Sequence, residues 1–212
     1  ETDGYQSVVK LVDLPAVLAV PADSRFKSFD QFLEEAKKSP GKIKVSVSGL
    51  RTANDIAVQH FNKLSGLRIA TVPFTGGGGE AILAALGGRV DGVVGYAAGM
   101  KGQVDAGKLR VIGAFNDGKY YLFPDAKPTS ETPWKSYLRT AYYVIAPKGV
   151  PQAVLDKLNA ASKKVVESDD FKAFATANGY TIDVKFGDAM KKELMDYEKQ
   201  FKEVNDFLEN SK

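Results

Sequence analysis

Residues 14–49 have the sequence LPAVLAVPADSRFKSFDQFLEEAKKSPGKIKVSVSG, in which strand and helix signals alternate. The apolar run Leu14–Val20 predicts a buried strand. Segment 29–38 follows the capping residue Ser28 and places its apolar residues at helical spacing. Ile43–Val47 then alternates as a second strand. A helix between two strands, one of them continuously apolar, predicts an α/β fold built on a parallel sheet.

The same alternation extends along the rest of the chain. Strands are predicted at 67–73, 90–94, 109–115, 141–146 and 180–184, and helices at 53–65, 80–86, 151–167, 169–177 and 188–208. Residues 1–10 are weakly patterned and segment 96–107 is interrupted by glycines, so neither receives an element. The part of the chain from residue 139 onward is therefore expected to contain only two strands.

Composition excludes several classes of protein. The 212 residues are enough for one large domain or two small ones. The absence of Cys excludes disulfide scaffolds, thiolate metal sites and Cys nucleophiles, and the single His60 leaves little for His-based chemistry. A net charge of +3 is too small to indicate nucleic-acid binding. No apolar run is long enough to span a bilayer, and Glu1 does not open a leader, so an exported form is expected to have lost one.

The first candidate site is the strand-to-helix junction Ser48–Thr52. The first turn of a helix leaves backbone N–H groups unpaired, and its dipole favours negative charge. Ser48 and Thr52 add hydroxyl groups, Gly49 makes the turn, and Arg51 adds a guanidinium suited to a carboxylate. This pattern predicts a binding site for a small anion. The alternative is purely structural: Thr52, at capping-box spacing from Asp55, caps the helix, and Arg51 points into solvent.

The second candidate is the glycine-rich junction Phe74–Gly79. Glycines allow backbone N–H groups to approach a ligand closely. A phosphate loop would continue with Gly-Lys-Ser/Thr, whereas Glu80 follows here, and Ile82 breaks the dinucleotide fingerprint. Nucleotide binding is therefore not expected, and a simple flexible turn is the alternative.

Tyr96 follows a third predicted strand. Ligands of open α/β sheets bind beyond the carboxyl ends of the strands, so Ser48, Thr75 and Tyr96 are expected to line one crevice. No Ser nucleophile elbow or HExxH motif is present, and His60 lies in a helix close to its apolar stripe. An enzyme is therefore not expected.

Six motifs in order carry a resemblance to a known family. They are residues 15–49, TVPFTGGGGEAILAALGGRVDGVV at 71–94, DAGKLRVIGAF at 105–115, FPDAKPT at 123–129, IAPKGVPQAVLDKLNAA at 145–161 and NGYTID at 178–183. The chain resembles the extracytoplasmic solute receptors of tripartite tricarboxylate transporters, the TctC or Bug family. The resemblance covers nearly the whole chain and implies a type II periplasmic-binding-protein fold of two lobes.

The resemblance also implies a function and a site. A small carboxylate, either a di- or tricarboxylate or a related organic acid, would be captured in the periplasm for the permease subunits of a transporter, without a cofactor, a metal or a chemical reaction. The expected ligand-binding residues are Ser48, Gly49, Arg51, Thr52, Phe74, Thr75, Gly76, Gly77, Tyr96 and Ala97. A ligand-sensing module of a signalling system is the alternative, and a small α/β enzyme acting on a carboxylate is a remote one.

Three departures from the family pattern matter. Family members usually have Gly or Thr at the positions of Leu50 and Arg51, so the basic Arg51 leaves the identity of the carboxylate open. The run of four glycines is longer than usual. Members also carry about a hundred residues before the matched region, so residues 14–138 are assigned to the second lobe and 139–212 to the C-terminal portion of an incomplete first lobe.

Overall fold

The computed structural model describes residues 4–138 and 140–210. Contacts divide the chain into two units, which we name by their sheets. The three-stranded unit comprises Glu1–Leu14 and Thr140–Asp206, and the six-stranded unit comprises Pro15–Arg139 and Phe207–Lys212. The assignment of these parts to the two lobes of a receptor stays a prediction.

Nine strands and seven α-helices lie within the described residues. The strands are β1 (Tyr5–Leu14), β2 (Ala16–Pro21), β3 (Lys44–Val47), β4 (Ala70–Pro73), β5 (Gly92–Tyr96), β6 (Leu109–Phe115), β7 (Lys127–Pro128), β8 (Thr140–Pro147) and β9 (Thr181–Phe186). The helices are α1 (Phe29–Lys38), α2 (Ala53–Ser65), α3 (Gly78–Leu86), α4 (Ala97–Asp105), α5 (Gln152–Glu167), α6 (Asp169–Ala177) and α7 (Gly187–Asn210).

The sheet of the six-stranded unit has the order β4-β3-β5-β2-β6-β7. β3 runs parallel to β4 and β5, but β2 is antiparallel to both β5 and β6, so the predicted parallel sheet is wrong at its centre. β2 is continuously apolar because both faces are covered. Leu18 and Val20 pack in one core cluster, while Val17 and Ala19 pack in the other. Burial on two faces sets this composition whatever the direction of the strand.

α1 forms where its capping residues predict it. The Ser28 hydroxyl accepts from the Gln31 N–H at 3.2 Å, and the Gln31 side chain accepts from the Lys27 N–H at 2.9 Å. The buried rings of Phe29 and Phe32 then pack α1 onto one face of the sheet. This cap and its apolar stripe are local, which is why they can be recognised without tertiary information.

The three-stranded unit has the order β8-β1-β9, and both pairings are antiparallel. The two strands expected from residue 139 onward are β8 and β9, but the sheet has a third strand, because β1, where no element was predicted, supplies its centre. Pairing of β1 with β8 shifts register between Ser7 and Val9 and again between Lys10 and Val12, which breaks the alternation on which strand prediction depends. Lys10, moreover, is fully buried in the middle of this strand.

α4 was also missed. Gly99 and Gly102 lie inside it, and each costs about 1 kcal/mol of helix propensity relative to Ala. Met100 and Ala97 are buried in the core cluster that covers one face of the sheet, so packing offsets the poor propensity. Among the described residues, no helix combines the length and the apolar character needed to cross a membrane.

Candidate functional site

Three loops lie along one edge of the six-stranded sheet. β4, β3 and β5 are adjacent and parallel, so the loops that follow Val47, Pro73 and Tyr96 leave the sheet at the same edge. We call these the three site loops: residues 48–52, 74–77 and 96–97. Each leads directly into a helix, α2, α3 and α4 respectively. The ten residues predicted from the sequence all lie in these loops or at the helix starts that follow.

The first site loop has a different hydrogen-bond pattern from the predicted capping box. The Thr52 hydroxyl donates to the Gly49 carbonyl oxygen at 3.0 Å and makes no cap to an α2 amide. The Asp55 carboxylate accepts from the Arg51 N–H at 2.7 Å, one residue before the expected position. Gly49 and Arg51 have φ of 150° and 55°, and these turns place the Arg51 amide over Asp55. The Arg51 side chain is exposed.

Asn54, in the first turn of α2, contacts this loop and was not predicted from the sequence. It is 3% exposed, and its Nδ2 lies 3.4 Å from the Ser48 hydroxyl oxygen. Its Oδ1 is buried and has no hydrogen-bond partner within residues 4–138 and 140–210. An Asn in the first turn of a helix that follows a glycine turn is the signal that could have found it, but Asn54 lies outside the apolar positions used to define α2.

The second site loop presents its glycine backbone to solvent. Thr75 and Gly76 are exposed, Phe74 is half-buried, and the Phe74 N–H donates to the Val47 carbonyl oxygen. The Glu80 carboxylate accepts from the Gly76 N–H at 2.8 Å. Gly77 precedes α3 with φ of 82°, a conformation that glycine adopts without strain. Glu80 thus holds one loop amide and brings a negative charge to this end of α3.

The third site loop is the short passage from β5 into α4. Tyr96 is half-buried, pairs with Ala16 at the edge of the sheet and occupies the position before the first helical residue. Ala97 is 2% exposed, so it contributes little surface to this edge of the sheet. The register of β3 and β5 places Tyr96 one residue beyond the level of Ser48.

The starts of α2, α3 and α4 share one electrostatic property. None of their preceding residues, Thr52, Gly77 and Tyr96, caps a helix amide with its side chain. Unpaired first-turn N–H groups and aligned dipoles therefore concentrate on one edge of the sheet, with Arg51 as the adjacent cation. This arrangement can bind an anion. A bound carboxylate would exchange its hydration for fixed donors.

A family model matches nearly the whole chain. Residues 1–204 match the sequence model described as "Tripartite tricarboxylate transporter family receptor". The chain belongs to this family. The predicted membership is confirmed, and the TctC family is one of solute-binding receptors rather than enzymes.

One relative of this TctC-family chain is the "UPF0065 protein in tcbD-tcbE intergenic region" of Pseudomonas sp. (strain P51). The two are 29% identical over 168 residues, which are 78% of this chain and 50% of the relative. The chain thus spans half the length of that protein.

Solved structures share the fold. A TctC solute-binding protein from Polaromonas, without ligand, superposes with a TM-score of 0.83 at 20% identity, covering 97% of this chain and 70% of that one. "R. palustris Rpa4515 with adipate" gives 0.80 at 18%, covering 95% and 67%. "MatC (Rpa3494) from Rhodopseudomonas palustris with bound malate" gives 0.75 at 18%, covering 94% and 69%. The predicted α/β, periplasmic-binding-protein-like fold is confirmed.

Polar side chains of this family member also meet outside the site loops. In the six-stranded unit, His60 Nδ1 and the Ser136 hydroxyl oxygen are 2.9 Å apart. This is the contact that a nucleophile and its base would make. Ser136 is fully buried, however, so the pair joins α2 to the 132–138 segment and offers no reactive group to a substrate.

In the three-stranded unit, fully buried Lys10 is surrounded by carboxylates. Its Nζ lies 2.7 Å from Asp13, 2.7 Å from Asp183 and 2.6 Å from Glu193. The three carboxylates have the spacing of a metal site, but the ammonium group occupies the position of the cation. Sequence reasoning missed this cluster because a lysine in a strand is expected to face solvent.

The same cluster shifts the ionisation of its members. Burial alone would raise the pKa of Asp183, but hydrogen bonds from Lys10 and Lys185 outweigh it and lower that pKa to about 2. The pKa of Glu193 is also lowered, because hydrogen bonds from Lys10 and Lys185 outweigh the effect of its burial. Burial raises the pKa of Tyr143, which donates to Glu193, well above its ordinary value. The carboxylates are therefore ionised and the tyrosine neutral across the physiological range.

Proposed function

We propose that this chain is the ligand-binding part of a periplasmic solute receptor that captures a small dicarboxylate or tricarboxylate for the permease subunits of a tripartite tricarboxylate-type transporter. The observation that carries the proposal is the convergence of three helix starts without side-chain caps on one sheet edge, beside the exposed Arg51. The binding of adipate and malate by neighbours of the same fold supports a dicarboxylate as the ligand.

In this proposal the ligand is held and released unchanged. One carboxylate accepts from the first-turn amides of α2 and from the Ser48 hydroxyl, while the Arg51 guanidinium supplies a charge-assisted hydrogen bond. The amides of the glycine loop, together with the Thr75 hydroxyl, receive further ligand oxygens. The half-buried Tyr96 forms the wall on the β5 side.

Charge explains why the ligand should be a carboxylate rather than a phosphate ester. Glu80 already accepts from Gly76, and the buried Asp55 already accepts from Arg51. These two carboxylates oppose a concentrated double negative charge at either helix start. A ligand whose charges are spread over separate carboxylates is repelled less at each point.

Calorimetry with adipate and malate tests the proposal. Thr75→Trp fills the exposed second loop and should abolish saturable binding. Lys42→Trp places the same bulk on an exposed residue just before β3, at the opposite edge of the same sheet, and should bind like wild type. Absence of binding to a panel of mono-, di- and tricarboxylates by a cooperatively folded wild-type chain would refute the proposal, as would unchanged binding by Thr75→Trp.

A further inference from the structure

A cavity lies at the edge of the six-stranded sheet opposite the site loops. β2 is antiparallel to β5, so Pro21 and its partner Leu109 lie at the amino edge, away from Ser48 and Tyr96. The cavity has a volume of about 620 Å³, within the range of small-molecule sites. It shares no residue with the site loops, so the two sites can be tested separately.

The cavity exists because β7 is short. β7 pairs only with Gly113 and Ala114 of β6, so among the described residues Leu109–Ile112 have β2 on one side and no paired strand on the other. The segment 122–127, the start of α1 and the end of α4 also line the cavity. Most of the wall is apolar and is formed by Phe29, Val104, Leu109, Ile112, Leu122 and Phe123.

Three cations and two carboxylates line the same cavity, which gives it a net charge of +1. The cations are Lys27, Arg110 and Lys127, and the carboxylates are Asp30 and Asp125. Lys127 Nζ lies 2.6 Å from Asp30 Oδ1, so these two neutralise each other. A single negative charge would therefore balance the pocket.

Arg110 is the cation with which we expect this negative charge to pair. Its Nη2 donates to the Ala22 carbonyl oxygen at 3.1 Å, which anchors the guanidinium at the cavity wall. Its Nη1 is buried and has no hydrogen-bond partner among residues 4–138 and 140–210. A buried donor without a partner is uncommon in folded proteins, and a ligand oxygen is one way of satisfying it.

We propose that this cavity is a second binding site, specific for an amphipathic monocarboxylate whose carboxylate pairs with Arg110 and whose apolar body packs against the wall. The planar guanidinium matches a carboxylate better than an ammonium does, and the apolar wall selects against small hydrophilic anions. This ligand class differs from that proposed for the site loops, where polar amides dominate.

Hexanoate is the probe, with hexan-1-ol as its uncharged analogue. Both are titrated into the Thr75→Trp chain, so that the site loops are blocked, while backbone amide chemical shifts are recorded. Saturable shifts at Lys27, Arg110 and Ala126 with hexanoate, and at least tenfold weaker binding of hexanol, are expected. Absence of saturable shifts, or shifts confined to residues 48–52 and 74–77, would overturn the proposal.

Substitutions separate charge from shape. Arg110→Gln should weaken hexanoate binding at least tenfold and leave hexanol unchanged, whereas Lys108→Gln, which removes an exposed cation two residues away, should change neither. Val104→Phe fills the cavity from α4 and should weaken both ligands, so the test holds even if Arg110→Gln folds poorly. Equal binding of hexanoate by wild type and Val104→Phe would place the ligand elsewhere.

Discussion

The backbone N–H of Arg51 donates to the Asp55 carboxylate across 2.7 Å, and this bond organises the first site loop. Asp55 is 1% exposed, so its carboxylate is fixed at the start of α2. The bond holds Arg51 at φ of 55°, a conformation that costs a residue other than glycine about 1–2 kcal/mol. Arg51 thus combines a strained backbone with an exposed positive charge beside the proposed ligand.

Arg51→Gly and Arg51→Ala separate these two effects. Both remove the guanidinium and should weaken dicarboxylate binding about tenfold, the loss of roughly one charge-assisted hydrogen bond. Arg51→Gly should also raise the free energy of unfolding by up to about 1 kcal/mol because it relieves the strain, whereas Arg51→Ala should not. Calorimetry and urea unfolding measure the two quantities. Wild-type affinity in both variants would mean that Arg51 does not contact the ligand.

Gly113→Ala and Gly99→Ala add the same methyl group at two positions with different surroundings. A Cβ on Gly113 would lie 2.9 Å from Phe29 Cδ2 in the packed core, so the substitution should lower the free energy of unfolding by about 1–3 kcal/mol. Gly99 lies in α4 with open space around it, and Ala there should raise the free energy by about 0.5–1 kcal/mol. Chemical denaturation checks both. Equal effects would contradict the packing of α1 on β6.

Lys10→Met should be among the most destabilising substitutions in the three-stranded unit. It leaves three carboxylates around a buried apolar side chain, and removing one partner of a buried ion pair typically costs about 3–5 kcal/mol. Lys191→Met, on the exposed side of α7, is the control and should stay within about 0.5 kcal/mol of wild type. The loss of stability should be smaller at low pH, because protonation of the three carboxylates reduces the repulsion between them. If Lys10→Met were as stable as wild type at pH 7, Lys10 would not be neutralising these carboxylates.

Stability should also depend on the ionisation of Asp183. Its pKa falls from an ordinary value near 4 to about 2 on folding, so its contribution is present at neutral pH and is lost as the pH falls through that window. Asp183→Asn should therefore be about 2 kcal/mol less stable than wild type at pH 7, with the difference vanishing near pH 2. Urea titrations at pH 7, 5, 3 and 2 measure it. A difference that does not change with pH would assign the loss to packing instead.

Local signals predicted a large part of the fold. α1 depends on Ser28, Gln31 and a stripe of apolar residues, all within a few positions of one another, and the glycine turns between elements are similarly local. The same holds for the three strand-to-helix junctions of the candidate site. Because parallel neighbours end at one edge of a sheet, recognising three strand ends was enough to predict which residues would lie together.

Other features depend on partners that the local sequence does not contain. The Thr52 hydroxyl bonds to the Gly49 carbonyl oxygen rather than to a helix amide because Gly49 and Arg51 adopt positive φ. β2 is antiparallel to its neighbours. Its apolar sequence indicates burial on two faces but does not indicate the direction of the strand.

The family, the class of fold and the three junctions could be predicted before folding was considered, because each depends on residue types at short spacing. The place of Lys10 in the core could be seen only in the folded chain. Its partners Asp183 and Glu193 lie on β9 and α7, with Asp183 separated from it by 173 positions. A charged side chain is tolerated inside a protein only when opposite charges and hydrogen bonds meet it there, and that meeting is a property of the folded chain.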